Sequence, residues 1–154
     1  MDFKSKSIGI VLSGGGSKGI AQAGALQFLT EQGIHASCIA GTSAGAIVGG
    51  LYAFGKSPEE ILEFFKSIYF FHWKNFTFKK AGIIDSESFK KDFESILHDT
   101  KIGDLKIPVH ITATDLVRGK LKVFGNETKL SDAILASSSF PGMLSPYQIN
   151  GKLY

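Results

Sequence analysis

The sequence predicts an α/β fold with three layers, in which a mostly parallel sheet has helices on both faces. Three observations lead to this prediction. Short apolar strand patterns alternate with helical patterns, and each of the first two strands ends in a glycine-framed turn. The 154 residues, 44% hydrophobic and 20% charged, have the composition of a globular domain, and no linker or internal repeat divides them. We therefore expect residues 1–154 to form a single domain.

Each element is supported by a local signal. Apolar runs predict buried strands, and small or apolar residues at helical spacing predict the helices that follow them. Ser57-Pro58-Glu59-Glu60 predicts a helix start, because serine caps the helix, proline suits its first position and Glu60 returns the capping bond. Ser131 is expected to cap the last helix. In chain order we expect a strand at 8–13, a helix at 18–32, a strand at 38–41, a helix at 44–54, a helix from Ser57, a helix after Ser86, strands at 109–114 and 121–124, and a helix at 131–136.

The two glycine-framed turns carry the clearest chemical signal. Gly41-Thr42-Ser43-Ala44-Gly45 has the Gly-x-Ser-x-Gly spacing, in which small neighbours let the backbone bend sharply around an exposed serine. Gly14-Gly15-Gly16-Ser17-Lys18-Gly19 presents backbone N–H groups after the first strand, where an anion can bind. Together they offer Ser43 as a nucleophile and the glycine loop as an oxyanion hole, which is most of what an acyl hydrolase needs.

Other glycine-rich folds fit these turns less well. Gly14, Gly16 and Gly19 match the Gly-x-Gly-x-x-Gly spacing of dinucleotide-binding folds, but no acidic residue ends the second strand to bind a ribose. A P-loop ends in Gly-Lys-Ser/Thr, whereas here Lys18 precedes Gly19. The α/β-hydrolase fold shares Gly-x-Ser-x-Gly, but it needs more sheet before the serine and a catalytic histidine, and no later histidine is framed by turn residues.

In order and spacing, the chain resembles the patatin-like phospholipases. In that family a Gly-Gly-Gly-x-Lys/Arg-Gly loop comes first, Gly-x-Ser-x-Gly follows, and a later Asp-Gly-Gly or Asp-Gly-Ala supplies an aspartate that works with the serine without histidine. The first two motifs are present as residues 14–19 and 41–45. The other matching segments are the strand-like run 111–116 and the lead-in to the family's aspartate, at Ala136-Ser137-Ser138-Ser139-Phe140-Pro141-Gly142, Ser145-Pro146 and Gly151-Lys152-Leu153-Tyr154.

The resemblance implies a serine acyl hydrolase that cleaves lipid esters, of phospholipase A or lysophospholipase type, through a Ser-Asp dyad. The family's aspartate would come just after Tyr154, and because no Asp-Gly pair occurs in the sequence we expect a domain that is truncated before its base. The alternatives are an inactive lipid- or protein-binding domain and a general esterase for small acyl groups. The residues implied are Ser43 as catalytic nucleophile, Gly41, Ala44 and Gly45 in its turn, and Gly14, Gly15, Gly16, Lys18 and Gly19 in the oxyanion loop.

Asp115 is the other candidate for the base. It follows the strand at 109–114, and ligands gather at the carboxyl ends of strands in parallel sheets. The alternative is a structural role, because an aspartate before Arg118-Gly119 can cap a turn by accepting hydrogen bonds from nearby backbone N–H groups. Both roles stay open at this point.

Charge and cysteine content narrow the partners and the location. A net charge of +3 without a Lys/Arg block does not indicate nucleic acid. The single cysteine, Cys38, excludes an internal disulfide, fits a cytoplasmic location and is expected to be buried beside Ile39. We find no cofactor motif, metal-ligand cluster, secretion signal or membrane-spanning stretch. The expected partner is a lipid or other acyl-ester substrate.

The segment from Phe64 to Phe78 is rich in aromatic residues interleaved with lysines. Rings and ammonium groups together suit a membrane interface, so the segment could be a lid or a peripheral docking surface. The alternative is a loop whose rings cover one end of the core, the commoner fate of phenylalanine.

Overall fold

The computed structural model of the chain describes residues 6–76, 86–142 and 144–154. Helices and strands alternate as expected, so the predicted α/β class is confirmed. The elements in chain order are β1 (Gly9–Leu12), α1 (Gly19–Glu31), β2 (Cys38–Thr42), α2 (Ala44–Phe54), α3 (Pro58–Phe76), α4 (Ser86–Leu97), β3 (Val109–Asp115), β4 (Lys120–Val123), α5 (Leu130–Ser138), β5 (Gln148–Ile149) and β6 (Lys152–Leu153).

The main sheet of the described residues has the strand order β1-β2-β3-β4. β1, β2 and β3 are parallel and β4 is antiparallel at the edge, which confirms the mostly parallel sheet. Leu12 pairs with Gly41, and Thr42 pairs with Thr112. The carboxyl ends of the parallel strands therefore meet at one edge of the sheet, where ligand sites of α/β folds gather.

The helices of the described residues pack against one face of this sheet. α2 contacts all three parallel strands, α5 contacts β3, and α1 and α4 pack beside α2 and α5 respectively. Ile39, Ile111 and Ala113 are buried on this face. Strand order explains the layering: when strands follow one another in one direction, right-handed crossovers place successive helices on the same face. Helices on both faces require a reversal of strand order, which the alternation of elements does not encode.

The opposite face of the sheet is uncovered by the described residues. Val11 on β1 is 82% exposed and Leu121 on β4 is 74% exposed. Cys38 is exposed too, so the prediction of a buried thiol was wrong, because Ile39 and not Cys38 takes the inward position on β2. We call this surface the bare face; it consists of Val11, Cys38, Ala40, Thr42, His110, Thr112, Thr114, Leu121 and Val123.

Two helix starts test the capping predictions. Before α3, Ser57 Oγ accepts a hydrogen bond from the Glu60 N–H at 3.2 Å, and Glu60 Oε2 accepts one from the Ser57 N–H at 2.8 Å, so the predicted capping box is confirmed. The Ser131 cap was wrong. α5 begins at Leu130, and Ser131 lies inside the helix with 1% of its surface exposed.

α3 runs to Phe76, where the sequence analysis allowed a loop. Of its aromatic side chains, Phe65 is buried, and Phe64 packs against Phe93 of α4 with ring centroids 5.2 Å apart. The remaining side chains from residue 68 to residue 78 lie outside the described residues. None of the described helices combines the length and apolar character that a membrane span requires.

A short hairpin of β5 and β6 forms the last part of the chain. Tyr147 and Tyr154 exchange two backbone hydrogen bonds, and the Tyr154 ring meets the Phe124 ring edge-on at 5.3 Å. The Leu116 N–H donates to the Leu153 carbonyl at 3.0 Å. This bond ties the hairpin to the chain that leaves the carboxyl end of β3.

Candidate active site

The glycine loop after β1 and the serine turn after β2 lie side by side. The pairing of Leu12 with Gly41 brings the ends of the two strands level, so the chain leaves both strands at the same edge. A Cβ atom added to Gly14 would lie 3.3 Å from Ser43 Cβ and 3.6 Å from the Thr42 carbonyl oxygen. The structure therefore brings together the two motifs that the sequence analysis assigned to one site.

Ser43 occupies a strained backbone conformation between β2 and α2. Its φ of 52° and ψ of −119° lie in a region that residues with a side chain rarely adopt. Such strain costs about 1–3 kcal/mol and persists only where the surroundings enforce it. The half-buried Ser43 makes no side-chain capping bond to α2; its carbonyl accepts hydrogen bonds from the N–H groups of Ala46 and Ile47, and its own N–H donates to Ser137. No hydrogen bond engages the Ser43 hydroxyl in the part of the chain that the structure describes.

The two glycines that frame Ser43 are required by close backbone packing. A Cβ atom on Gly41 would lie 2.5 Å from the Gly45 carbonyl oxygen, and a Cβ atom on Gly45 would overlap the Leu12 carbonyl oxygen. Contacts this short leave no room for any side chain. The Gly-x-Ser-x-Gly spacing thus lets α2 start directly against β1 and β2, with Ser43 on the bend between them.

Backbone N–H groups of the glycine loop are available at this edge. Neither the Gly15 N–H nor the Gly16 N–H donates to another group within the described part of the chain. Gly16 has a φ of 54°, which favours glycine, and a short 3₁₀ turn, Gly16–Lys18, leads into α1. Ala44 at the start of α2 adds the positive end of a helix dipole, and no acidic side chain occupies that first turn.

Lys18 and Gln22 shape the glycine loop. A Cβ atom on Gly15 would lie 3.2 Å from Lys18 Cβ, so the Lys18 side chain passes directly over the loop. Gln22 Nε2 on α1 donates to the Ser13 carbonyl at 2.7 Å and holds the chain just before the glycines. No motif marks Gln22 in the sequence; its only signal is a polar side chain among small and apolar residues near the start of α1.

Gly19, the last glycine of the loop, allows close packing between helices next to the two turns. The ring of Phe65 on α3 occupies the space where a side chain on Gly19 would stand, 2.5 Å from the position of an added Cβ. A Cβ there would also lie 3.3 Å from Ala44 Cβ. The last glycine of the loop therefore lets α1, α2 and α3 converge beneath the two turns.

Ser137 connects the serine turn to the rest of the sheet. Its hydroxyl accepts a hydrogen bond from the Ser43 N–H at 2.7 Å and donates one to the Thr112 carbonyl at 2.6 Å. In the sequence, Ser137 stands out only as part of the segment 136–142 that resembles the family's lead-in to its aspartate. Nothing in a run of three adjacent serines, Ser137 to Ser139, distinguishes the one that reaches Ser43.

Asp115 makes the contacts of a turn-capping residue. Its Oδ1 accepts hydrogen bonds from the Val117 N–H at 3.1 Å and the Arg118 N–H at 3.0 Å, and its backbone carbonyl accepts one from the Gly119 N–H at 2.8 Å. Thr112, which pairs with Thr42, precedes it by three positions, roughly 10 Å along an extended strand. Of the two roles that the sequence left open for Asp115, catalytic base and turn cap, these bonds are those of a turn cap.

Ionisable groups with perturbed pKa values lie on the surface elsewhere. A hydrogen bond from Lys129 lowers the pKa of Asp99, and the Asp99 carboxylate in turn raises the pKa of Lys129; their Nζ and Oδ1 atoms are 2.6 Å apart. A hydrogen bond to Glu127 raises the pKa of Lys101. These ion pairs are exposed, and none of them involves a residue of the two glycine-framed turns.

Comparison with known proteins gives one consistent family. Residues 10–154 match the family model described as patatin-like phospholipase. An NTE family protein of Mycobacterium tuberculosis is 34% identical, over 97% of this chain and 42% of its own length. A protein named lysophospholipase NTE1, from Saccharomyces cerevisiae, is 30% identical over 96% of this chain and 9% of its own length. The chain thus spans less than half the length of these relatives.

Solved structures agree in fold. VipD from Legionella pneumophila superposes with a TM-score of 0.64 at 16% identity, over 96% of this chain and 45% of that one. The type III effector protein ExoU superposes with a TM-score of 0.63 at 18% identity, over 89% of this chain and 41% of that one. Sequence and fold comparisons favour the patatin-like resemblance over the nucleotide-binding and α/β-hydrolase alternatives.

Proposed function

The chain belongs to the patatin-like phospholipase family, and on this premise we propose that it acts as a serine acyl hydrolase on lipid esters, of phospholipase A or lysophospholipase type. The observation that carries the proposal is the contact between the two turns. Gly14 abuts the Cβ of Ser43, so the loop with free N–H groups and the strained serine share one edge of the sheet. A hydroxyl next to unpaired N–H donors is the arrangement that acyl transfer requires.

In the proposed reaction, Ser43 Oγ attacks the carbonyl carbon of the ester while a base takes its proton. The carbonyl oxygen becomes an oxyanion, and the N–H groups of Gly15 and Gly16, together with that of Ala44, donate hydrogen bonds to it. Donors of this kind contribute about 3 kcal/mol each to stabilising the transition state. The ester C–O bond then breaks as the base passes the proton to the leaving alcohol. Water, deprotonated by the same base, attacks the acyl-serine carbonyl, and the acid leaves as Ser43 Oγ regains its proton.

The base that we propose is an aspartate that follows Tyr154 in a longer chain, as the family resemblance implies. The bond between the Leu116 N–H and the Leu153 carbonyl supports this proposal, because it holds the last hairpin beside the carboxyl end of β3. Loss of one member of a catalytic serine arrangement lowers the rate on the order of 10⁴-fold or more. We therefore expect residues 1–154 alone to hydrolyse esters very slowly.

Three further proposals concern the surroundings of the site. Lys18, whose side chain passes over Gly15, would steady the loop or meet a lipid phosphate. Peripheral membrane contact through the segment from Phe64 to Phe78 would fall to its later residues, because Phe64 and Phe65 face α4 and the core. A cytoplasmic location stays a prediction from the single cysteine.

A fluorescent phosphonate that traps activated serines tests the proposal. We expect labelling of a longer chain that contains the aspartate, and loss of labelling in Ser43→Ala; Ser67→Ala, which changes an exposed serine on α3, is the control. Labelling that persists in Ser43→Ala, or a longer chain that is neither labelled nor active, would contradict the enzyme and favour a lipid- or protein-binding domain.

Substrate form separates lipid hydrolysis from general esterase activity. A lipid hydrolase with a docking surface is expected to gain rate when its ester substrate passes from monomers to micelles. A short-chain nitrophenyl ester that stays monomeric is the comparison. Equal kcat/KM values for the two substrates, with no change in hydrolysis rate at the concentration where micelles form, would identify an esterase for small soluble acyl groups.

A further inference from the structure

Ser137 is the one described side chain that bonds the backbone of Ser43. Its Oγ lies 2.7 Å from the Ser43 nitrogen and 2.6 Å from the Thr112 carbonyl oxygen. Ser137 belongs to α5, Thr112 to β3 and Ser43 to the turn before α2. A single hydroxyl therefore joins three elements that are far apart in sequence.

The direction of both bonds follows from the partners. A backbone N–H can only donate and a backbone carbonyl can only accept. The Ser137 hydroxyl therefore donates a hydrogen bond to the Thr112 carbonyl and accepts one from the Ser43 N–H. The arrangement leaves no second orientation for this hydroxyl. It also uses the Ser43 N–H, so the donors left for a substrate oxygen belong to the glycine loop and to Ala44.

The backbone conformation of Ser43 needs such a partner. Ser43 is the N-cap of α2 at φ 52° and ψ −119°, so no carbonyl of that helix accepts a hydrogen bond from its N–H. A buried N–H without an acceptor is rare in folded proteins. The acceptor on Ser137 therefore favours the strained turn over relaxed alternatives, and the turn sets the direction of Ser43 Oγ.

We propose that Ser137 is a positioning residue, which holds the backbone of Ser43 in the conformation that aims its hydroxyl at the glycine loop. This inference rests on the proposed function for its catalytic consequence. Its structural part, the bond to the Ser43 N–H, can be tested separately.

Adjacent serines provide matched controls. Ser138 Oγ is buried and has no hydrogen-bond partner in the part of the chain that the structure describes. Ser139 Oγ donates to the Leu135 carbonyl within the same segment, at 2.8 Å. Replacing Ser138 by alanine removes the same atoms from the same helix without touching Ser43.

Amide hydrogen exchange tests the bond directly. The parent is the longer chain that contains the proposed aspartate. It is compared with Ser137→Ala, Ser137→Cys and Ser138→Ala in the same chain, and hydrogen exchange at the Ser43 amide is followed by NMR. We expect about tenfold faster exchange in Ser137→Ala, which corresponds to the loss of about one hydrogen bond. Ser137→Cys should exchange at an intermediate rate, because its sulfur is a weak acceptor. Ser138→Ala should exchange at the rate of the parent. Equal exchange in Ser137→Ala and Ser138→Ala would overturn the inference. Should Ser137→Ala not fold, the comparison of Ser137→Cys with Ser138→Ala decides in the same way.

Phosphonate labelling tests the catalytic consequence. The maximal labelling rate and the phosphonate concentration at half-maximal rate are measured separately. We expect Ser137→Ala to lower the maximal rate about tenfold with the half-saturating concentration unchanged, because the nucleophile is misdirected while the binding surface is kept. A parent chain that is not labelled contradicts the proposed function and leaves the exchange result to decide the role of Ser137. A parent that is labelled no faster than Ser137→Ala contradicts the positioning role.

Discussion

Gly45 of α2 lies directly against the carbonyl oxygen of Leu12 on β1, with no space between them for a side chain. The contact connects the serine turn with the strand that carries the glycine loop. It fixes how closely the two turns approach, so the site depends on two residues whose own side chains do no chemistry.

Gly45→Ala is expected to destabilise the fold by about 3 kcal/mol or more, because the new Cβ must push α2 away from β1. Chemical denaturation measures the change. Gly24→Ala is the control: Gly24 lies in α1 with nothing within 4 Å of an added Cβ, so alanine should raise stability by up to about 1 kcal/mol. Similar stability of the two variants would contradict the contact.

Gly14→Ala is expected to slow labelling of Ser43 without unfolding the chain. The added Cβ would lie 3.3 Å from Ser43 Cβ, slightly too close, and the serine must shift by a few tenths of an ångström. We expect about a tenfold slower reaction with a phosphonate, since reactivity falls steeply with small misplacement. Gly125→Ala, at a position with nothing within 4 Å, should react like the parent. Unchanged labelling of Gly14→Ala would argue against the adjacency of the two turns.

Asp115 can be assigned by comparing two substitutions. Asp115→Asn keeps an oxygen that can accept from the Val117 and Arg118 N–H groups, so stability and labelling of Ser43 should both be retained. Asp115→Ala loses both bonds and should cost about 1–3 kcal/mol of unfolding free energy. If Asp115→Asn abolished labelling while the unfolding transition stayed in place, Asp115 would be the base and the proposed aspartate after Tyr154 would be unnecessary.

The capping box of α3 predicts a pH dependence. The Ser57 N–H bond, helped by Lys56, lowers the pKa of Glu60 below the ordinary value of 4.5. The folded state therefore favours the ionised carboxylate, and its contribution is full above that ordinary value and lost as the pH falls through the lower folded pKa. Denaturation from about pH 7 to about pH 3 should show Glu60→Gln approaching the parent in stability at acid pH.

Glu59→Gln is the control for this experiment, because Glu59 is a neighbouring exposed carboxylate that forms no ion pair among the described residues. It should follow the parent across the range. Ser57→Ala, which removes the other half of the box, is expected to cost about 1 kcal/mol at neutral pH. A stability difference between Glu60→Gln and the parent that grows on acidification would contradict the assignment.

Local signals predicted those parts of the molecule that depend on neighbours in sequence. Ser57 and Glu60 form their capping box within one turn of helix, and the bend at Ser43 is enforced by the small residues beside it. Ser131 failed as a cap because the packing of Leu130 into the core starts α5 one position earlier. The continuation of α3 to Phe76 had a signal in the absence of glycine and proline from Glu59 to Ala81.

The parts that depend on distant partners were beyond local reasoning. The layering follows from the strand order β1-β2-β3, and the exposure of Cys38 follows from the layering. Ser137 meets Ser43 across 94 positions of sequence, and only the folded chain distinguishes it from Ser138 and Ser139. The glycine motifs predicted which elements meet, and tertiary packing decided what holds them together.

The bare face is expected to influence self-association of the protein. Its exposed valine and leucine side chains lie on β1 and β4, the two edge strands of the described sheet, and exposed apolar side chains on edge strands are expected to promote self-association. The thiol of Cys38 stands on that surface and offers a single attachment point for a maleimide dye. The rate at which maleimide modifies Cys38 would fall if the bare face became covered. The measurement can be made at rising protein concentration and in a longer chain.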